Sequence, residues 1–335
     1  MKKLIPVFIV TILLLGVGCF NEWYPIYDDF LSTINIDGTD LNYIRNSYGY
    51  IMLSPDRTKL VEFSNNKFYS VDLNDLSYRV LFYDFGDNSS IYDPVLYNQK
   101  ILYLQRGDIY SYDLEDKNIT RLTYSGSCRN PALSEDGSKI VYSTTIWDSL
   151  SSITIMNSDG SNPNTIIEYN TADTVDYTSY ISIRSFRFVM DDQVIFYGLY
   201  STSNLETPIG LYSINIDGSN NQCLVEDVYI WYMTLSPERD YLLFTENGYI
   251  HKINADGTNH ILLVESGNDN FDPSISPDGE KILFAYEGYP YIMNADGNDR
   301  YQLVDAYIGS SWYDLKESYF LDNYKILIIL DKQIN

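Results

Sequence analysis

Residues 273–304 read PSISPDGEKILFAYEGYPYIMNADGNDRYQLV, and residues 233–264 read MTLSPERDYLLFTENGYIHKINADGTNHILLV, one unit written twice. The unit returns from Ile51 (IMLSPDRTKLVEF), Pro94 (PVLYNQKILYL), Pro131 (PALSEDGSKIVYS) and Phe186 (FRFVMDDQVIFYG), at a period of about 40 residues. A supersecondary unit repeated at that period is the signature of a β-propeller blade. Turn residues cut each copy into four short β-rich runs. In the copy from 273, PSIS is the inner strand, and Pro277, Asp278 and Gly279 supply a fixed φ, a side-chain acceptor and a permissive φ for a tight hairpin. KILFAYE is the second strand, apolar on both faces as a strand between two neighbouring blades must be. YPYIMN, a turn at Asp296-Gly297 and RYQLV complete the unit.

The two ends of the chain complete each other. Residues 318–330 (SYFLDNYKILIIL) supply the first two strands of a further unit, and residues 30–44 (FLSTINIDGTDLNYI) supply the third strand, the Asp-Gly turn and the fourth. Joining the termini in one blade removes both open sheet edges. The expected fold is therefore all-β: a propeller of four-stranded blades over residues 30–335, seven with the hybrid blade counted. Six is the alternative, because the copies from Pro94 and Phe186 carry worn turn motifs.

The units resemble the WD40-like repeats of the TolB family, whose pattern is P-x-x-S-P-D-G-x-x-I-x-F followed by N-x-D-G. Residues 273–304 match it closely, residues 51–82, 131–167 and 233–264 match well, and the remainder match in register. The resemblance covers nearly all of the chain after its leader and implies the propeller fold. TolB carries an additional α/β domain before a six-bladed propeller, whereas this chain enters its first strand near Phe30, so a Tol-Pal role is not implied.

The leader, MKKLIPVFIVTILLLGVGCF over residues 1–20, has two lysines, an apolar run and small residues before a cysteine, the tripartite export signal. Its apolar run is shorter than the ~20 residues a spanning helix needs. LLLGVGC resembles a bacterial lipobox, which implies a signal peptide over 1–18, a lipid on Cys19 and a tether over 19–29. Gly16 stands where that motif usually has leucine, and Gly16 with Gly18 also satisfies ordinary signal peptidase. The expected location is a bacterial membrane, facing the periplasm or the exterior; the alternative is a soluble periplasmic or secreted protein.

The chain has 46 acidic against 22 basic residues, a net charge of −24 that the loss of Lys2 and Lys3 makes more negative. Such a surface repels phosphate and excludes nucleic acid as a partner. Cys128 and Cys223 fall on non-facing strands of successive blades and are expected as unpaired buried thiols. The acidic N-x-D-G turns at Asp37, Asp159, Asp217, Asp256 and Asp296 read as hairpins, because a calcium loop spaces its oxygens differently and ends on a distal Glu. No cofactor and no metal site are expected, apart from a cation at the channel mouth.

Candidate binding residues fall in two groups. The position just before each inner strand collects Tyr50, Asp93, Asn130, Ser185, Tyr232, Asp272 and Glu317, which the ring gathers at the mouth of the central channel. Three acids facing one another invite a cation or a basic side chain; Asp93, Asn130 and Asp272 also precede Pro, and local turn capping is the competing role. The second group is aromatic: Trp147, Tyr177, Tyr180, Tyr200, Trp231, Trp312 and Tyr313, on segments expected as long top-face loops over 144–152, 168–185 and 198–208 or as shorter joints.

Only His251 and His260 exist, on the third and outer strands of one blade, too few for a triad. Oligogalacturonate lyases look similar in architecture but resemble a site built on several histidines. The expectation is a non-catalytic envelope scaffold, monomeric, holding a protein or peptide on its top face. Alternatives are carbohydrate capture by the same aromatics, and a glycoside hydrolase or lyase working with carboxylates alone.

Overall fold

The computed structural model describes residues 29–333 apart from 40, 48, 55, 87–89, 98, 147–149, 171–179, 191–192, 202–208, 266–272, 288, 304–306 and 309–310. Seven antiparallel sheets follow one another along the chain. Six run in simple sequence order, their inner strands being Tyr50–Leu53, Ile91–Tyr97, Cys128–Leu133, Tyr180–Met190, Ile230–Leu235 and Ser274–Ile275 for blades 1 to 6. The seventh is the hybrid: Ser311–Phe320 and Lys325–Gln333 from the C-terminal end pair with Asp29–Asn35 and Asn42–Ser47 from the N-terminal end. The seam is a seven-pair ladder running from Asp29↔Asp331 to Asn35↔Lys325. A two-residue strand, Tyr307–Ile308, adds a fifth member on the inner side of this sheet. The blade count is seven, and six is set aside.

The core lies between blades. Leu283 and Ala285 of blade 6 pack with Ile34, Phe320, Ile326 and Ile328 of the hybrid, while Leu31 and Leu327 turn the other way onto Ile51, Leu60 and Val71 of blade 1. The second strands are buried on both faces, as KILFAYE requires: Ile282, Leu283 and Phe284 are fully buried.

The inner strands of blades 1, 3, 5 and 6 each end in a turn organised by one serine. Ser276 Oγ donates to Asp278 Oδ1 at 2.6 Å and accepts from Lys281 N at 2.9 Å, and Gly279 N donates to Ser276 O. Ser134 with Asp136, Ser54 with Asp56 and Ser236 with Asp240 repeat the device. Hydrogen bonds from Ser134 and Ser138 hold Asp136 well below the usual carboxylate range, at about 2.

Two expectations are corrected. The segment 144–152 is not a long loop, because the second and third strands of blade 3 continue through Thr144↔Ser152 to Ile146↔Leu150. In blade 4 the inner and second strands likewise run on through Tyr180↔Ser201, and Glu168 to Asn170 belong to an outer strand. Thr, Ile and Tyr favour extended backbone, and the ladder continues through them and the serines between. Conversely, PSIS and RYQLV contribute only Ser274–Ile275 and Tyr301–Gln302 to regular strands.

Candidate functional site

The inner strands of all seven blades line one central cavity of about 620 Å³. That size suits a small ligand or a short peptide segment. Its two ends differ because the inner strands share a direction. At the entry end, the register slips by a residue in five blades: between Tyr92 and Val95, Arg129 and Ala132, Arg184 and Phe186, Ile230 and Tyr232, and Leu315 and Glu317. A bulge twists its strand and re-aims its side chains. Here it does so at the channel rim, which is where the sequence placed its candidates.

Asp93 and Asn130 sit on these bulges with left-handed backbone, φ 49° and 51°. Both types tolerate that region. Asn130 donates from Nδ2 to Ile183 O at 2.9 Å and so stitches blade 3 to blade 4. Asp93 reaches solvent at the mouth, yet surrounding protein pushes its carboxyl above the ordinary range, with Arg129 opposing the rise. Tyr50 is 59% exposed and opens the inner strand of blade 1, and Tyr232 lines the cavity. Ser185 and Glu317 fall at the register slips within their strands. Asp272 lies outside the described residues, so Asp93 is the one of the three acids whose side chain is placed.

Of the aromatic candidates, Trp231 stands clearest: it is 71% exposed, with its ring centroid 5.2 Å from that of Tyr229. Tyr180, Tyr200, Trp312 and Tyr313 occupy paired strands, opposite Ser201, Ile181, Gln333 and Lys332. Trp147 and Tyr177 lie outside the described residues, as does Cys19. Tyr92, not singled out from the sequence, joins the rim at 58% exposure beside Asp93.

The far end of the cavity holds what the sequence reading missed. Arg57 and Arg239 stand where two other copies of the S-P-D-G turn have Gly137 and Gly279, at φ 54° and 59°. Each ties its blade to others nearby: Arg57 Nε donates to Phe320 O of the adjoining hybrid blade at 3.2 Å, and Arg239 donates to Phe188 O of blade 4 and pairs with Glu135 of blade 3 at 2.8 Å. Arginine in a glycine slot was the available signal. A third, Arg187, lies partway along the wall, donating to Phe186 O at 2.8 Å and to Met233 O at 2.7 Å.

Other chemistry lies away from the channel. His251 Nδ1 and His260 Nε2 are 3.1 Å apart, and the His251 ring stacks on Phe244 at 4.9 Å. Burial, with the second imidazole against it, depresses His251 to about 4. The five N-x-D-G carboxylates are each spent on a hydrogen bond two residues ahead. Among the described residues, no three His, Cys, Asp or Glu side chains are placed to share a metal ion. Cys128 and Cys223 are both free thiols, and burial raises the pKa of each.

Fold and site together define a seven-bladed repeat propeller with an accessible central channel. No protein-family model and no curated protein matches the chain. Solved structures do. An oligogalacturonate lyase in complex with manganese matches with a TM-score of 0.60 at 11% identity, over 86% of this chain and 90% of that one. An oligogalacturonate lyase from Vibrio parahaemolyticus matches with a TM-score of 0.60 at 12% identity, over 92% and 98%. A TolB protein from Agrobacterium tumefaciens matches with a TM-score of 0.50 at 15% identity, over 92% and 99%. The chain shares the repeat-propeller fold of the TolB protein and of the lyases. The expectation that it is non-catalytic is corrected by the same neighbours, since two are lyases and this architecture is one on which catalysis occurs.

Proposed function

We propose that this chain is an exported propeller that recognises a protein or peptide at the rim and interior of its channel. The observation that carries the reading is the cavity of about 620 Å³ lined by Asp93 and Tyr232, with the residues just before these two, Tyr92 and Trp231, and Tyr50 at the start of the blade 1 inner strand, 58%, 71% and 59% exposed. Rigid aromatics beside a preformed hollow contribute contact area at small entropic cost. An envelope location agrees with the leader and with the TolB-like fold, and the lipid on Cys19 is part of the proposal. Fatty-acid labelling of expressing cells should mark the wild type and not Cys19→Ala; unlabelled wild type in the medium refutes the anchor.

The recognition reading is tested by cross-linking in cells with wild type and with a Tyr50→Ala, Trp231→Ala double variant. A discrete partner lost in the variant is expected, and an identical cross-linking pattern overturns the reading. Carbohydrate capture or turnover is the second reading, favoured by the oligogalacturonate lyases that share the fold. Turnover or retention of oligogalacturonate by the purified protein would decide for it.

A further inference from the structure

The channel wall is chemically two-sided at one level. Arg187, Thr234 and Ser274 occupy the same ladder position in blades 4, 5 and 6, opposite Ile195, Leu243 and Leu283. The corresponding residues of blades 2 and 3 are Val95 and Ala132, opposite Leu102 and Val141. All five line the cavity. One side of the channel thus offers a guanidinium and two hydroxyls, and the other offers hydrocarbon.

The polar side is unfinished. Two backbone carbonyls hold the Arg187 guanidinium in place, but carbonyls do not neutralise it, and three of its five N–H donors are beyond those two bonds. The Oγ of Ser274 is buried and has no hydrogen-bond partner among the described residues. A buried orphan hydroxyl costs free energy unless something completes it. Among the described residues of a chain of net charge −24, an arginine without a carboxylate partner and an orphan hydroxyl lie at one level of one hollow.

We propose that the channel seats the C-terminal carboxylate of a peptide, with Arg187 as its ion-pair partner, Thr234 donating to its oxygens together with Ser274 once the buried Ser274 hydroxyl turns about χ1 into the channel, and Val95 and Ala132 against its last side chain. The proposal rests on the peptide reading above and names the part of the peptide that is read. A terminus fits because a chain entering a channel end-on places its last carboxylate deepest, beside an apolar side chain. An inorganic anion has nothing for the hydrocarbon side. A polyuronide carries a charge on every unit past Asp93 and an acidic body, which opposes its entry.

The test uses a fluorescent hexapeptide pool with a fixed C-terminal leucine, as the free acid and as the C-terminal amide, titrated into the full-length protein. The acid is expected to bind at least ten-fold more tightly than the amide. Arg187→Ala should abolish that difference, and Arg187→Lys should restore part of it, because a point charge replaces a planar fork. Ser274→Ala is the control for folding: its hydroxyl satisfies nothing in the free protein, so thermal stability should be unchanged or higher while acid binding falls several-fold. Equal binding of acid and amide, or acid binding unmoved by both Arg187→Ala and Ser274→Ala, overturns the seat. If both pools bind equally and Trp231→Ala weakens both, the seat fails while peptide recognition stands. If neither pool binds and oligogalacturonate does, both fall and the acidic glycan takes the channel.

Discussion

At the scale of single residues, the two histidines show how one position in a repeated fold changes chemistry without changing place. In blade 6 the Arg300 guanidinium lies 4.8 Å from the Tyr291 ring centroid and 5.3 Å from that of Phe284. In blade 5, one repeat earlier, the same slots hold His260, His251 and Phe244, again in contact. The histidines therefore replace a cation–aromatic stack, which the sequence did not reveal because register alone does not say which faces touch. Their consequence is a pH dependence. His251 titrates near 4 in the folded chain and near 6.5 when unfolded, so between those values the unfolded state binds more protons and stability falls as pH falls. The loss should be of order 2 kcal/mol, tempered by partial solvent contact. His251→Tyr, the residue blade 6 uses, is expected to flatten the urea-unfolding midpoint between pH 6.5 and 4; an unchanged slope across that window would remove His251 as its source.

At the scale of the strand and turn, what the sequence made legible followed from how each residue earns its place. The second strands were readable because burial on both faces writes an apolar run, and the serine-centred turns were readable because their partners lie within five residues. The inner-strand bulges and the Arg57 and Arg239 crossings were not, since they depend on contacts with other blades. The rim positions were found by alignment alone; their re-aiming by bulges was not foreseen. Glycines separate these local and long-range demands experimentally. Gly279 has φ +74° and its nearest neighbour to an added Cβ is Pro237 at 3.9 Å, so Gly279→Ala meets only backbone strain, about 1 kcal/mol. Gly38 has φ +81° and an added Cβ would lie 2.3 Å from the Leu303 carbonyl oxygen of the adjoining blade. Gly38→Ala must push the hybrid blade away from blade 6 and should cost about 2 kcal/mol more, read as a lower Tm. Equal melting temperatures for the two variants would show that this seam is soft.

At the scale of the whole molecule, closure and charge act together. The seam ladder closes the ring of blades, and a ligand must come to the channel through the field of the acidic surface. For a peptide ending in a carboxylate that field is repulsive during approach and attractive only beside Arg187. The two regions respond differently to salt, because exposed charges are screened within about 8 Å at physiological ionic strength while a pair inside the channel is screened far less. Raising salt from about 50 to about 300 mM should therefore speed association of the free-acid pool several-fold and raise its dissociation rate less, tightening the complex. Most protein–ligand ion pairs weaken with salt, which makes the sign informative. Stopped-flow mixing of the labelled acid pool with wild-type protein measures it directly. Association that slows as salt rises would mean that the ligand arrives as a cation drawn to Asp93 and the acidic surface, and the polarity assigned to the channel would have to be reversed.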